Sequence, residues 1–166
     1  KLSFDRSTAV FSFGEYTLVC RLIEGTYPNY QAVIPADAPR KLTVDRADLC
    51  NCLRRVAFYS NPASNLIKMS IMANELVVSA QDIDFSLSGQ ERVKCQYEGE
   101  DMEIGFKSSY LIDILSNLNC TEVVINLSDA SKPGTFVPLD KSSIDEEVLM
   151  LLMPMPGFCL ENRQNR

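Results

Sequence analysis

Residues 41–56, KLTVDRADLCNCLRRV, and residues 102–118, MEIGFKSSYLIDILSNL, decide the fold class. In the first stretch Lys41-Leu42-Thr43-Val44 reads as a strand, and a helix starts at Asp45 or in the Arg46-Ala47-Asp48 region. The apolar residues of that helix, Leu49, Cys52, Leu53 and Val56, recur at helical spacing, and Asn51, Arg54 and Arg55 fall on the opposite side. In the second stretch Met102–Phe106 reads as a strand, and Lys107-Ser108-Ser109 leads a helix with apolar Leu111, Ile114, Leu115 and Leu118. Laid over each other, Leu42 and Ile104, Val44 and Phe106, Leu49 and Leu111, Leu53 and Leu115, and Val56 and Leu118 are each 62 residues apart. The chain is therefore expected to be an internal duplication of one unit: a strand, a helix, then several strands.

Working outward, strands are expected at Leu66–Met72, Glu75–Ala80 and Ile83–Tyr97 after the first helix. In the last of these Ile83, Phe85 and Leu87 alternate with Asp84, Ser86 and Ser88, which predicts one buried face and one wet face. After the second helix, strands at Thr121–Leu127, Thr135–Leu139 and Glu146–Met153 complete the second copy. Two helices segregated to one face of many antiparallel strands make an α+β layered domain whose helices present a polar back. In front of it, Leu2-Ser3-Phe4, Ala9–Phe13 and Tyr16–Ile23 read as short strands with a Gly14-Glu15 turn, a hairpin too small to stand alone. The pattern breaks at Gly25, and Pro28, Pro35 and Pro39 mark residues 25–40 as a semi-extended interdomain crossing.

Composition narrows the function classes. The chain has 166 residues, 46% of them hydrophobic, enough for a sizeable core and unlike a disordered segment. Its formal net charge of -6 does not advertise nucleic-acid binding, so any DNA contact has to come from a local basic face. The six cysteines (Cys20, Cys50, Cys52, Cys95, Cys120, Cys159) include no CxxC pair and there is no His, which removes zinc spacing and a His-paired thiol nucleophile. Free, buried thiols fit a reducing compartment. No basic leader with an apolar run opens the chain, and Val148 to Pro156 is too short to cross a bilayer, so a soluble intracellular protein without membrane contact is expected. The sequence opens at Lys1 inside a strand-like pattern, so more chain is expected in front.

Four strings, in order, resemble the bacterial DNA sliding clamps, the beta subunit of DNA polymerase III. Glu24-Gly25-Thr26-Tyr27-Pro28-Asn29-Tyr30 with Val33 and Pro35 is similar to the clamp crossing between its second and third domains. Met102–Leu111 with Asp113 and Leu115 is similar to the start of the second helix of the third domain, and Ser60-Asn61 and Leu152-Met153-Pro154-Met155 complete the set. The resemblance implies a DNA-clamp-like fold and a division into residues 1–26, the end of the middle domain; 27–40, the crossing; 41–156, the third domain; and 157–166, a tail beyond the family's usual end. It also implies a bacterial, cytoplasmic processivity factor: a head-to-tail homodimeric ring around duplex DNA that tethers DNA polymerase III, clamp-loader subunits, and replication and repair proteins carrying clamp-binding motifs.

Carried over position by position, the family's hydrophobic peptide-binding cleft would use Pro28, Val33, Tyr110, Leu151, Met153, Pro154 and Met155. Met adapts to several ligand shapes, and Pro keeps the backbone from pairing as a further strand. Lys41, Arg46, Arg54, Arg55 and Lys107 lie on or beside the two helices and form the expected DNA-facing set, through sequence-independent phosphate contacts. The family's subunit interface falls at the end of the first helix, here Phe58-Tyr59.

Catalysis is not expected, nor a metal or cofactor. There is no GxxxxGK[ST], GxGxxG or HExxH motif, and an enzyme using Cys50 or Cys52 would lack a base. The acidic pairs Asp82/Asp84, Glu100/Asp101 and Glu146/Glu147 read as solvated charge. The competing reading is a non-enzymatic β-rich ligand- or protein-binding domain unrelated to DNA, in which the Met-Pro-Met stripe is simply core.

Overall fold

A computed structural model describes residues 1–140 and 147–155. The chain divides into two units, Lys1–Gln31 and a second that starts at Ala32. In the first, β1 (Leu2–Phe4), β2 (Thr8–Phe13) and β3 (Tyr16–Arg21) form an antiparallel sheet in that order. Gly14, at φ 58°, takes the first position of the two-residue turn between β2 and β3, where a side chain would be strained. Only Ala9 among the apolar residues of these strands is buried, while Phe4, Tyr16 and Val19 stand exposed, so the small sheet has no core of its own.

The second unit comprises β4 (Arg40–Asp45), α1 (Arg46–Val56), β5 (Leu66–Met72), β6 (Glu75–Asp82), β7 (Leu87–Glu98), β8 (Met102–Lys107), α2 (Ser108–Asn117), β9 (Glu122–Leu127), β10 (Gly134–Pro138) and β11 (Met150–Leu152). Its eight strands form one antiparallel sheet in the order β11-β10-β9-β4-β7-β6-β5-β8. The two copies of the repeat interleave. β4 of the first copy pairs with β9 of the second, with Leu42 opposite Ile125, and β8 of the second pairs with β5 of the first, with Ile104 opposite Met69. Ile67, Met69 and Ile71 thereby occupy the places of Val123, Ile125 and Leu127, which lie 56 residues on, against the 62 that relate the helices. The first copy spends the additional residues on a 3-10 turn at Ala57–Tyr59 and the loop that follows it.

One face of the sheet and both helices share a single core. Leu42, Val44, Ile67, Met69, Leu76, Val78, Ile104, Phe106, Ile125 and Phe136 pack there against Leu49, Leu53 and Val56 of α1 and Leu111 and Leu115 of α2. The Phe106 and Phe136 rings meet edge to face at 6.3 Å. α1 begins where Asp45 caps it, accepting a hydrogen bond from the Asp48 N–H at 2.8 Å. α2 has no side-chain cap at Lys107.

Two expectations are corrected. The strand expected over Ile83–Tyr97 starts only at Leu87: Ile83–Ser86 form a turn, with Ser86 at φ 54°, and Ile83, Phe85 and Leu87 are exposed. Alternation reports a sided apolar pattern without saying what covers it. Asp82 is buried instead of solvated, and its carboxylate accepts from the Asp84 N–H at 3.1 Å and the Asn61 side-chain amide at 3.4 Å, which ties the loop after α1 to the β6–β7 turn. Glu146 and the tail after Met155 lie outside the described residues.

Candidate functional site

The end of the described chain docks across the strand that starts the second copy. β11 pairs with β10, Leu151 opposite Thr135 and Leu152 opposite Gly134, and the Met155 N–H then donates to the Gly105 carbonyl of β8 at 2.9 Å. β11 therefore stands near α2, and the segment after it reaches the β8 edge of the sheet. Tyr110, in the first turn of α2, is 55% exposed, and Met153 is 56% exposed, while Pro154 is buried and Leu151 and Met155 are half-buried. Tyr110, Leu151, Met153 and Met155 thus leave apolar side chains half-buried or exposed on α2 and the end of the described chain. Val33, exposed, ends the 3-10 turn Tyr30–Val33, and Pro28, also exposed, belongs to the first unit.

The five cations expected to face DNA have different surroundings. Arg54 is exposed on the polar side of α1, with Ser116 Oγ of α2 at 3.4 Å from its guanidinium. Arg55 is exposed beside it but engages Glu91 of β7 through two hydrogen bonds of 3.0 and 2.5 Å. That hydrogen bonding holds the Glu91 carboxyl below the usual range and raises the Arg55 guanidinium. Arg46 points to the end of α2, donating to the Cys120 carbonyl at 2.8 Å and the Leu115 carbonyl at 3.1 Å. Lys41 alternates with buried Leu42 on β4, so it stands on the sheet face away from the helices. The Lys107 ammonium lies 5.1 Å from the centre of the Tyr110 ring. Arg54 and Arg55 come together on the helical face; Lys41 and Lys107 do not join them.

At the end of α1, Phe58 is 86% exposed and Tyr59 42% exposed. The Tyr59 ring lies flat against Gly89 of β7, so close that an added Cβ would meet it at 2.3 Å. Leu87 is on the same side of β7, and Ile83 and Phe85 follow at the turn, which extends the exposed apolar surface beyond the two aromatics. Residues Leu87–Lys94 pair with β6 on one side, whereas β4 covers only Cys95–Val44 through Glu98–Lys41 on the other, leaving this half of β7 with a free edge among the described residues. The sequence did carry the signal, in the alternation of Ile83, Phe85 and Leu87. Among the described residues no group of three His, Cys, Asp or Glu could hold a metal ion, and no helix is long and apolar enough to cross a membrane.

Comparison with known proteins agrees with this geometry. The family model of the DNA polymerase III beta subunit, C-terminal domain, matches residues 31–156. A beta sliding clamp of Synechococcus elongatus is 35% identical over 158 residues, covering 93% of this chain and 40% of the relative, and one of Pseudomonas putida is 29% identical over 142 residues, covering 86% and 37%. The crystal structure of a sliding clamp from Bartonella birtlesii bound to griselimycin superposes with a TM-score of 0.86 at 34% identity, covering 93% of this chain and 40% of that one. The chain thus spans about two fifths of the length of these relatives. A duplicated strand–helix–strands unit with two helices on one sheet face, matched along residues 31–156, places the chain in the DNA polymerase III beta subunit family, the bacterial beta sliding clamps.

Proposed function

We propose that this chain is the carboxy-terminal part of a processivity clamp that, at full length, closes as a homodimeric ring around duplex DNA. The observation that carries the reading is the family match over residues 31–156 on a unit whose two helices share one sheet face. The ring tethers DNA polymerase III, clamp-loader subunits, and replication and repair proteins in the bacterial cytoplasm, and it performs no catalysis itself. Partner peptides seat on Tyr110, Leu151, Met153, Pro154 and Met155, with Val33 from the crossing. Arg54 and Arg55 make loose, water-mediated phosphate contacts inside the ring. Phe58 and Tyr59, joined by Leu87 and the Ile83–Ser86 turn, face the neighbouring subunit, and the free half-edge of β7 offers that neighbour a strand to pair with.

Topology is the test. Full-length subunits placed on circular duplex by a clamp loader should stay bound through gel filtration and be lost once the DNA is cut. The 166-residue chain, with net charge -6, should give no stable complex with linear duplex at about physiological salt. Equal retention on circular and cut DNA, or tight salt-resistant binding by the fragment, would overturn the reading.

A further inference from the structure

We infer that Asn61 is a positioning residue for the subunit contact: its side-chain amide holds the apolar turn at residues 83–86 beside Phe58 and Tyr59, so that one preassembled surface meets the second copy of the chain. The inference rests on the interface reading above and adds to it the group that assembles the surface. Two segments far apart in sequence supply the exposed apolar side chains. Phe58 and Tyr59 end the 3-10 turn after α1, and Ile83 and Phe85 stand on the turn that follows the last β6–β7 pair, Asp82 with Leu87. Asn61 comes two residues after Tyr59, and its Nδ2 stands 3.4 Å from Asp82 Oδ1 and 3.3 Å from Asp84 Oδ2. Those acceptors alternate with Ile83 and Phe85 along the chain, so the amide holds the turn on both sides of Ile83.

The loop makes Asn61 a fixed support. Its Oδ1 accepts from the Ala63 N–H at 2.9 Å and its backbone carbonyl from the Asn65 N–H at 2.8 Å, while the Asn65 carbonyl receives the Ser108 N–H of α2 at 2.8 Å. Buried Ser60 donates from Oγ to the Ala57 carbonyl at 2.7 Å and closes the turn that carries the two aromatics. On the other side, the Asp84 N–H donates to Asp82 Oδ1 at 3.1 Å. Without the Asn61 amide, the buried Asp82 carboxylate would keep that one donor among the described residues, and no shared N–H group would offset the repulsion between the two carboxylates. Among the described residues β7 has no strand on its free side here, so strand pairing holds the turn from the β6 side alone. Apolar anchors that are fixed before the neighbour arrives lose less conformational freedom on association, which is how a residue outside the contact strengthens it.

The test measures the dimer dissociation constant of the full-length subunit by sedimentation across a dilution series. Asn61→Ala should weaken the dimer about three- to tenfold, the scale of one long hydrogen bond. Ile83→Ala with Phe85→Ala should weaken it at least as much, and Asn61→Ala added to that pair should cost nothing further, because the amide then has no apolar side chain left to position. A merely structural role would instead add in full. Asp84→Ala leaves buried Asp82 and the loop contacts in place; it should weaken the dimer in the same direction, and it carries the test if circular dichroism shows that Asn61→Ala does not fold. An unchanged constant in the folded variant, a loss that adds in full to that of the Ile83 and Phe85 pair, or a pair variant that dimerises as wild type does overturns the role of Asn61 and leaves the contact at Phe58 and Tyr59 standing. If Phe58→Ala with Tyr59→Ala also leaves the dimer at wild-type strength, the interface reading falls and this inference with it.

Discussion

Cys52 lies on the core side of α1, and burial, reinforced by the neighbouring Glu91 charge, pushes its thiol from the ordinary 9.0 up to about 12. Below pH 9 both the folded and unfolded chains keep this proton, and its contribution to stability is complete. From about pH 9 the unfolded chain releases the proton while the folded chain holds it until about 12, so the unfolded state binds fewer protons and stability falls as pH rises through that window. Burial pushes Cys95, Tyr97 and Cys120 in the same direction. Urea unfolding between pH 8 and 10.5 should show this alkaline loss, with a shallower slope in Cys52→Ala; identical slopes would take Cys52 out of the account. At the same scale, truncating Met153 or Met155 to Ala should weaken binding of a Gln-aliphatic-aromatic peptide by roughly 1–2 kcal/mol each. Circular dichroism must first show that each variant folds, because Met155 is half-buried. Equal calorimetric affinities for wild-type and folded variants would move the site elsewhere.

Among the elements, the two helices of the repeat are joined end to start. The final turn of α2 leaves carbonyls without helical partners, and Arg46 at the first position of α1 supplies donors to the Leu115 and Cys120 carbonyls. Its charge also stands at the negative end of the α2 dipole. The Arg46 backbone N–H adds a bond to the Thr121 carbonyl at 2.9 Å, so the first copy's helix starts where the second copy's ends. Arg46→Ala should therefore destabilise the domain by about 1–3 kcal/mol, seen as a lower urea midpoint with an unchanged slope. No change in midpoint would mean that water satisfies those carbonyls as well as Arg46 does. The same positions make Arg46 a structural cation, while Arg54, about two helix turns along, is exposed.

For the whole molecule, the insertion that breaks the repeat is the informative feature. The Ala57–Tyr59 turn has no counterpart after α2, and the core does not need Phe58, which is almost fully exposed. Two aromatics beside the exposed Ile83, Phe85 and Leu87 have the character of interface anchors. In the full-length subunit, Phe58→Ala with Tyr59→Ala should shift sedimentation from dimer toward monomer at micromolar concentration. If the double variant sediments as the wild-type dimer does, both residues belong to local packing against Gly89 and the loop after α1.

The sequence by itself determined the repeat, its two helices, most of its strands and the family, because apolar periodicity and turn chemistry are local and the 62-residue register of Leu42–Val56 with Ile104–Leu118 is written in residue order. Its reading stopped where sidedness depends on what lies across space. Ile83, Phe85 and Leu87 alternate as a buried strand would, yet sit on a turn and an edge with nothing among the described residues over them. Asp82 looked solvated and is buried under a local hydrogen bond from the Asp84 N–H and one from the Asn61 amide, which the fold brings in from the loop after α1. The DNA-facing cations could be collected by proximity to helices in sequence, but β4 alternation turns Lys41 to the other sheet face, Arg46 is spent on α2, and Lys107 stacks on Tyr110. A side chain's partner is fixed by long-range strand pairing, above all β4 with β9 and β5 with β8, and that interleaving of the two copies appears in no local pattern.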